Sequence, residues 1–147
     1  MTTLAASTTE LDLHHGPLPP ERLAIDSLVV PEHGALASFV GIVRNEHHGR
    51  AVTHLHYECQ EALARNVLAD LAASLRQQFG SELAIRIVHA LGTLHPRDAA
   101  IVIHIAAPHR RAALEACDEA IEAIKRDLPV WKHEHYADGE SAWLPGS

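Results

Sequence analysis

The sequence contains few cysteines and no motif in which two of them are paired. Cys59 and Cys117 are the only ones among 147 residues, so a secreted module framed by disulfides is not expected. The absence of a C-x-x-C spacing argues against structural zinc of the usual kind. This cysteine usage is typical of a protein of the reducing cytosol.

Long apolar runs are also absent. No stretch approaches the ~20 apolar residues that a membrane-spanning helix needs. The first 13 residues lack the basic segment followed by an apolar run that marks a signal peptide. We therefore expect neither a signal peptide nor a membrane span.

Positive charge is in deficit, with 12 Lys and Arg residues against 19 Asp and Glu residues and a net charge of −7. This balance disfavours nucleic acid or an anionic membrane as the main partner, although it is compatible with a small basic pocket. Apolar residues make up 47% of the chain and charged residues 21%, which is enough to build a core. We expect residues 1–147 to form one domain.

Apolar and β-branched segments predict strands over residues 34–43, 51–57, 82–91, 99–107 and 130–136. The second strand is expected beside the first, joined by a polar loop, and the third and fourth are expected to form an antiparallel hairpin. The N-terminal prolines predict short pieces, with a helix start at Pro20. Strands with two long helices inserted among them indicate an α+β fold rather than a regular βαβ series.

Both long helices are predicted from apolar stripes. In the first, over 60–79, Leu63, Val67, Leu71 and Leu75 recur at four-residue steps, and Gly80 ends the helix. The second covers 109–127 and is stopped by a proline. Its stripe consists of Leu114, Cys117, Ile121, Ile124 and Leu128, which makes Cys117 a packed core thiol.

The start of the second helix is a candidate anion site. Free backbone N–H groups and the helix dipole favour an anion there, and His109, Arg110 and Arg111 lie at that end. Arg110 falls on the side of the apolar stripe, so its guanidinium is expected to lie along the sheet. The alternative is an arginine that pairs with a buried carboxylate or extends past the sheet to solvent.

Three further cations are candidates. Lys125 borders the apolar stripe near the helix end and Lys132 follows seven residues later, so both are expected to be partly removed from water and suited to acid, base or nucleophilic chemistry. The alternative is that the helix dipole alone favours lysine there. Arg44 follows an apolar strand, where binding residues often lie, and is otherwise an ordinary surface arginine.

The 13 histidines do not by themselves indicate a metal site. His54 and His56, like His133 and His135, are two residues apart and would share one face of a strand. Zinc needs a third and a fourth ligand, which no H-E-x-x-H or Cys–His pattern supplies. Solvated surface histidines are the simpler interpretation, and no metal or other cofactor is expected.

Four segments in order resemble the MoaE family, the large catalytic subunit of molybdopterin synthase. They are F-V-G-I-V-R-N at 39–45, G-T-L-H-P-R-D at 92–98, H-R-R-A-A-L-E-A-C at 109–117 and K-R-D-L-P-V-W-K-H-E at 125–134. The resemblance implies an α+β fold of α/β-hammerhead type, with a mixed, largely antiparallel sheet and two long helices. It covers most of the chain, from about residue 34 to 134.

The resemblance also implies a reaction and its partners. Enzymes of this family insert two sulfurs as a dithiolene into a cyclic pyranopterin monophosphate, which makes molybdopterin for the molybdenum cofactor. The sulfur arrives as a thiocarboxylate on the C-terminal Gly-Gly of a small ubiquitin-like carrier subunit. A cytoplasmic homodimer within a heterotetramer is implied, with one carrier on each side.

Residue roles follow from the resemblance alone. Arg44, His109 and Arg110 would hold the phosphate and the pterin, and the catalytic Lys125 and Lys132 would polarise the acyl group and transfer protons. The remaining residues of the implied substrate-binding wall are Ile42, Val43, His133 and Glu134.

The chain departs from the family pattern at three places. Arg97 replaces a common glycine, the stretch H-Y-E-C-Q-E-A-L-A at 56–64 lacks the second aromatic residue usual after the strand, and no Lys or Arg follows Lys132. Arg111 would be the residue to compensate for the missing C-terminal cation. Two other hypotheses remain open at this point, a homologue that binds the carrier or a phosphorylated ligand without catalysis, and a histidine-dependent zinc protein.

Overall fold

Within residues 5–146, which the computed structural model describes, the chain forms eight strands and three helices. In chain order they are β1 (Thr9–His15), α1 (Pro20–Leu23), β2 (Ala35–Ile42), β3 (Glu46–His47), β4 (Arg50–Cys59), α2 (Glu61–Phe79), β5 (Ala84–Leu94), β6 (Ala99–Ala107), α3 (Arg110–Asp127), β7 (Val130–Tyr136) and β8 (Ser141–Pro145). The predicted α+β class, with a mixed, largely antiparallel sheet and two long helices, is confirmed. No helix in this part of the chain is long and apolar enough to cross a membrane.

The sheet has the strand order β2-β6-β5-β4-β7-β8, and β5 is its centre. Along residues 85–91, β5 pairs with the parallel strand β1, and from Gly92 to Leu94 it pairs with the antiparallel strand β4. The change of partner occurs at Gly92, whose φ of +84° is a left-handed conformation that favours glycine. The predicted antiparallel hairpin of β5 and β6 is confirmed.

One prediction about strand pairing is wrong, and the strands β1 and β3 were not predicted. β4 was expected beside β2, but β2 pairs with β6, because β6 is buried along its whole length and needs a partner on each edge. The predicted polar loop between them contains the short strand β3, which forms a tight hairpin with β4 through His48 and Gly49, both with positive φ. The parallel strand β1 was not predicted, because its partner β5 lies 76 residues away in the sequence.

The two long helices end where predicted, but the residues that they bury differ in part from the predicted apolar stripes. Gly80 caps α2 with a φ of +129°, and its N–H donates to the carbonyl of Arg76. Leu71 and Leu75 are buried as predicted, whereas Leu63 is 51% exposed. The helix buries Leu68 and two alanines, Ala64 and Ala72, instead of Leu63.

The face of α3 toward the sheet is lined mostly by alanines. Cys117, Ile124 and Leu128 are buried as predicted, but Leu114 is 60% exposed. The buried positions include Ala113, Ala116, Ala120 and Ala123, whose small side chains let the helix approach β2 and β6 closely. Because the buried face is centred on these alanines, Arg110 is exposed, and the prediction that it lies along the sheet is wrong.

The central strands are covered on both faces. Helices α2 and α3 pack on one face, and the segment around Leu28 packs on the other against Ala84 and Ala106. Arg86 is buried on that second face and pairs with Glu10 of β1, which ties the parallel strand to the centre of the sheet.

Candidate active site

A cavity of about 500 Å³ opens between the C-terminal half of α3 and the sheet. Its walls are apolar and come from β2, β6 and α3. They comprise Phe39, Val40, Gly41, Ala100, Ile101, Ile103, Ile121 and Ile124. Its polar lining consists of three cations, Arg44, Lys125 and Lys132, and two buried rings, Tyr57 and His89. Ile42, which is more than half exposed, lies beside Arg44 at the opening.

Three different elements bring the cations to this cavity. Arg44 lies two residues beyond the end of β2, and Lys125 is in the last turn of α3. Lys132 is on β7, directly opposite Tyr57 of β4. The break at Leu128–Pro129 ends the helix and returns the chain along β4, so two lysines seven residues apart meet at one opening.

These three residues, called the rim cations below, have no carboxylate partner among residues 5–146. The arginines that do form ion pairs there are elsewhere, such as Arg22 and Arg86 near Glu10, and Arg50 near Asp138. Arg44 and Lys125 are exposed and Lys132 is half-buried. The rim is therefore an uncompensated positive site in a chain whose net charge is −7, which suits an anionic ligand.

The base of the cavity holds two neutral rings. His89 is fully buried, and its Nδ1 lies 2.7 Å from the carbonyl oxygen of Ala90. Burial lowers the pKa of His89 to about 4, a shift that the Ala90 hydrogen bond opposes. Tyr57 lies edge-on to this imidazole with ring centroids 4.9 Å apart. Burial raises the pKa of Tyr57 to about 12, and the charge of Glu134 acts in the same direction.

Sequence patterns do not single out Tyr57 or His89, although one signal was present. His89 interrupts the otherwise apolar end of β5, I-V-H-A-L, in which every residue is buried. A histidine within such a run must place both ring nitrogens inside the protein, where each needs a partner.

Glu134 and His133 do not line the cavity. Strand alternation puts His133 on the face opposite Lys132, where it stacks on Trp143 with centroids 4.4 Å apart. Glu134 shares the face of Lys132 but is buried, and its Oε1 lies 2.6 Å from Nδ1 of His47 and accepts a hydrogen bond from the Tyr136 hydroxyl. It links the β3–β4 hairpin to β7.

Val43 and Arg97 form a turn beside the opening rather than part of the cavity. The N–H of Val43 donates to the carbonyl of Asp98, and the N–H of Arg97 donates to the carbonyl of Val43. Arg97 has a φ of +80°, a conformation that favours glycine. The Asp98 carboxylate accepts a hydrogen bond from the N–H of His95, which stabilises this turn.

His109 and Arg110 lie at the other end of α3. Sixteen residues separate His109 from Lys125, which corresponds to about 24 Å along a helix. His109 instead borders a shallow groove with Phe79 and Pro108. His109 and Arg110 therefore do not line the cavity of their own chain, and their role in holding the substrate stays a prediction. Arg111 lies in the first turn of the same helix, pairs with Glu115 and does not line the cavity either.

Three of the four paired histidines, His54, His133 and His135, form a cluster of ring contacts on one face of β4 and β7. His54 lies parallel to His135 with centroids 4.3 Å apart, and His133 lies 4.2 Å from His135. Burial lowers the pKa of His54, and the neighbouring histidines act in the same direction. Among residues 5–146, no three His, Cys, Asp or Glu side chains are grouped as a metal site requires.

Comparisons with known proteins agree on one family. A family model described as "MoaE protein" matches residues 13–127. The chain is 44% identical over 115 residues to the molybdopterin synthase catalytic subunit of Synechococcus elongatus, covering 78% of this chain and 70% of that protein. It is 40% identical over 113 residues to the same subunit of Bacillus subtilis, covering 77% and 71%.

Solved structures share the fold. A crystal structure of molybdopterin synthase from Staphylococcus aureus has a TM-score of 0.80 at 29% identity and covers 97% of this chain and 99% of its own. A complex of subunits 1 and 2 of molybdopterin-converting factor from Helicobacter pylori has a TM-score of 0.74 at 21% identity, covering 91% and 89%. At 21% identity, the match to the Helicobacter pylori complex shows a shared fold and nothing more. Together with the sequence matches, these findings confirm the resemblance of the four segments: the chain belongs to the MoaE family, that of the molybdopterin synthase catalytic subunits.

Proposed function

We propose that the chain, as a single MoaE-type domain, transfers sulfur from the C-terminal thiocarboxylate of a small ubiquitin-like carrier to a cyclic pyranopterin monophosphate. Two such transfers give the dithiolene of molybdopterin, and in each of them water replaces the sulfur on the carrier's acyl carbon, so that the carrier leaves with a C-terminal carboxylate. The observation that carries the proposal is the meeting of Arg44, Lys125 and Lys132 at one cavity with no carboxylate partner among the described residues. Both reactants are anions, and each would bring its charge to this rim.

The three rim cations would bind different parts of the two anionic reactants. An anion ~4 Å from one cation gains about 4 kcal/mol at an effective dielectric constant of ~20. Arg44, exposed at the opening, suits a bidentate contact with the phosphate. Lys125 and Lys132 approach from the helix and from β7 and would hold the acyl group, stabilise charge on its oxygen and transfer protons as sulfur moves to the substrate carbon.

The test is an assay with thiocarboxylated carrier and pyranopterin monophosphate. Lys125→Ala and Lys132→Ala are each expected to lower turnover by about 100-fold or more, since each removes a proton-transfer or charge-stabilising group. Arg126→Ala is the matched control, because Arg126 adjoins Lys125 on α3 but pairs with Asp127 and does not line the cavity.

Near-normal turnover in both lysine variants would refute their catalytic role. Unchanged pyranopterin despite demonstrated carrier binding by the wild-type protein would refute the proposed activity. That second result would favour a homologue that binds the carrier without catalysis, an alternative motivated by the absence of Lys or Arg after Lys132.

A homodimer within a heterotetramer is part of the proposal. His109 and Arg110 lie too far from the cavity of their own chain, so we propose that a second copy contributes its α3 start to that cavity. The Helicobacter pylori neighbour is a complex of subunits 1 and 2, which gives precedent in this fold for a partner subunit. Two free cysteines, Cys59 and Cys117, accord with a cytoplasmic location.

Mixing two inactive variants tests this arrangement. Arg110→Ala and Lys125→Ala homodimers each lack one component of every cavity. A mixed dimer has one complete cavity only if Arg110 acts across the interface, so random mixing is expected to restore about a quarter of wild-type activity. No recovery from dimers shown to exchange would refute the shared cavity.

A further inference from the structure

One ring nitrogen of His89 has no hydrogen-bond partner within residues 5–146. This atom, Nε2, is the one buried side-chain nitrogen or oxygen in that part of the chain that has no such partner. The ring is fully buried, and yet it lines the cavity. Buried polar groups are nearly always paired, so an exception beside a cavity points to a ligand.

The hydrogen bond at the other nitrogen determines which atom carries the proton. A backbone carbonyl only accepts, so the contact of Nδ1 with the Ala90 oxygen places the hydrogen on Nδ1. Nε2 then has a free lone pair. Because burial lowers the pKa of His89 to about 4, the ring stays uncharged at neutral pH. Nε2 is therefore a fixed hydrogen-bond acceptor.

Strand alternation places the His89 side chain on the face of β5 that the long helices cover, opposite to Ala84 and Arg86. Nδ1 is turned back to its own strand, and Nε2 lies at the far end of the imidazole. His89 is opposite Ile101 in the register of β5 and β6, and Ile101 lines the same cavity. The edge-on Tyr57 ring restricts rotation of the imidazole.

Polarity changes with depth in the cavity. The cations are at the opening, where they are exposed or half-buried, whereas Ile103, Ile124 and His89 at the base are almost completely buried. A ligand that matches this gradient has its anionic group outside and an uncharged ring inside. The ring must offer a hydrogen-bond donor if it is to satisfy Nε2.

We propose that His89 Nε2 accepts a hydrogen bond from an N–H group of the substrate heterocycle and thereby orients that ring at the base of the cavity. The inference rests on the proposed function, because a reduced pterin carries several N–H donors on its rings. An N–H of the carrier's C-terminal peptide has the same chemistry, and the experiment separates the two donors.

Two variants with opposite expectations test the proposal. His89→Leu removes the acceptor at similar volume, and His89→Gln keeps an acceptor near the position of Nε2. We expect His89→Leu to raise KM for pyranopterin monophosphate about tenfold, and His89→Gln to stay within about threefold of wild type. The melting temperature of His89→Leu is expected at or above the wild-type value at neutral pH, because the unpaired nitrogen is gone.

His104→Leu is the matched control. His104 is also buried, but it lies on the opposite face of the sheet with its Nδ1 3.3 Å from Arg86, away from the cavity. The His104→Leu variant is expected to have a lower melting temperature than wild type and an unchanged KM for pyranopterin monophosphate. A folded His89→Leu variant with wild-type KM, measured in a system whose wild-type turnover is intact, overturns the His89 inference and leaves the proposed function standing.

Nitrogen-15 NMR of histidine-labelled wild-type protein provides a readout that does not depend on a variant folding. The resonance of unprotonated Nε2 is expected to move when pyranopterin monophosphate is added alone, and to stay in place with inorganic phosphate or with the carrier alone. A shift with the carrier alone assigns the donor to the tail peptide and overturns the proposal, as does the absence of a shift at saturating substrate.

Discussion

Acidification should destabilise this fold through His89 in particular. The ordinary pKa of 6.5 applies to the unfolded chain, and burial lowers the value to about 4 in the folded protein. Between these values the unfolded state binds a proton and the folded state does not. The contribution of His89 to stability is therefore present above about pH 6.5 and is lost as the pH falls toward 4.

The size of the effect follows from the width of that window. A gap of about 2.5 pH units at about 1.4 kcal/mol per unit gives a loss of about 3 kcal/mol for one fully buried ring. Small domains have a free energy of unfolding of only about 5–15 kcal/mol. Protonation linked to His89 alone can therefore remove a large part of the free energy of unfolding at acid pH.

Urea unfolding of wild type, His89→Leu and His89→Gln at about pH 7 and about pH 4.5 measures this term. Other groups titrate in all three proteins and cancel in the difference between wild type and variant. Because pH 4.5 is still above the folded-state pKa of about 4, both variants are expected to gain about 2 kcal/mol relative to wild type over that interval. Leucine and glutamine differ in shape and polarity. If both variants gain the same free energy of unfolding relative to wild type, the gain comes from the loss of the titrating group and not from a change in packing. A difference that is independent of pH would refute the reasoning.

Three further predictions concern stability. Arg97→Gly is expected to raise the free energy of unfolding by about 1 kcal/mol, because glycine adopts φ of +80° without strain; an unchanged or lower urea midpoint would contradict this. Glu10→Ala is expected to lower it by about 3 kcal/mol by removing the carboxylate partner of buried Arg86, and wild-type stability would show that the pair contributes nothing net. Gly34→Ala is expected to cost about 1–3 kcal/mol in the same assay, because its Cβ would collide with the backbone oxygen of Pro108; a neutral result would mean that this loop yields freely.

Elements with local causes were predictable from the sequence. Gly80 and Pro129 end their helices through their own backbone properties, so both boundaries are confirmed. The exact buried faces were less predictable. Leu63 and Leu114 are more hydrophobic than alanine, but close approach of a helix to a sheet favours the smaller residue. Strand order was not predictable at β2 and β4, because long-range pairing depends on which edges remain to be covered.

By itself, the sequence determined the chemistry available to this protein: the cations Arg44, Lys125 and Lys132, a helix start with His109 and Arg110, and four segments typical of one family. Local residue types and spacings are sufficient for such conclusions. Only the tertiary structure decided which of these groups meet. The chain returns along β4 after Pro129, so the three rim cations share one cavity, whereas the length of α3 keeps the helix start about 24 Å away. The same packing buries His89 with one nitrogen paired and the other free, because an apolar strand between two layers supplies carbonyl groups along its length but no donor at the base of a cavity.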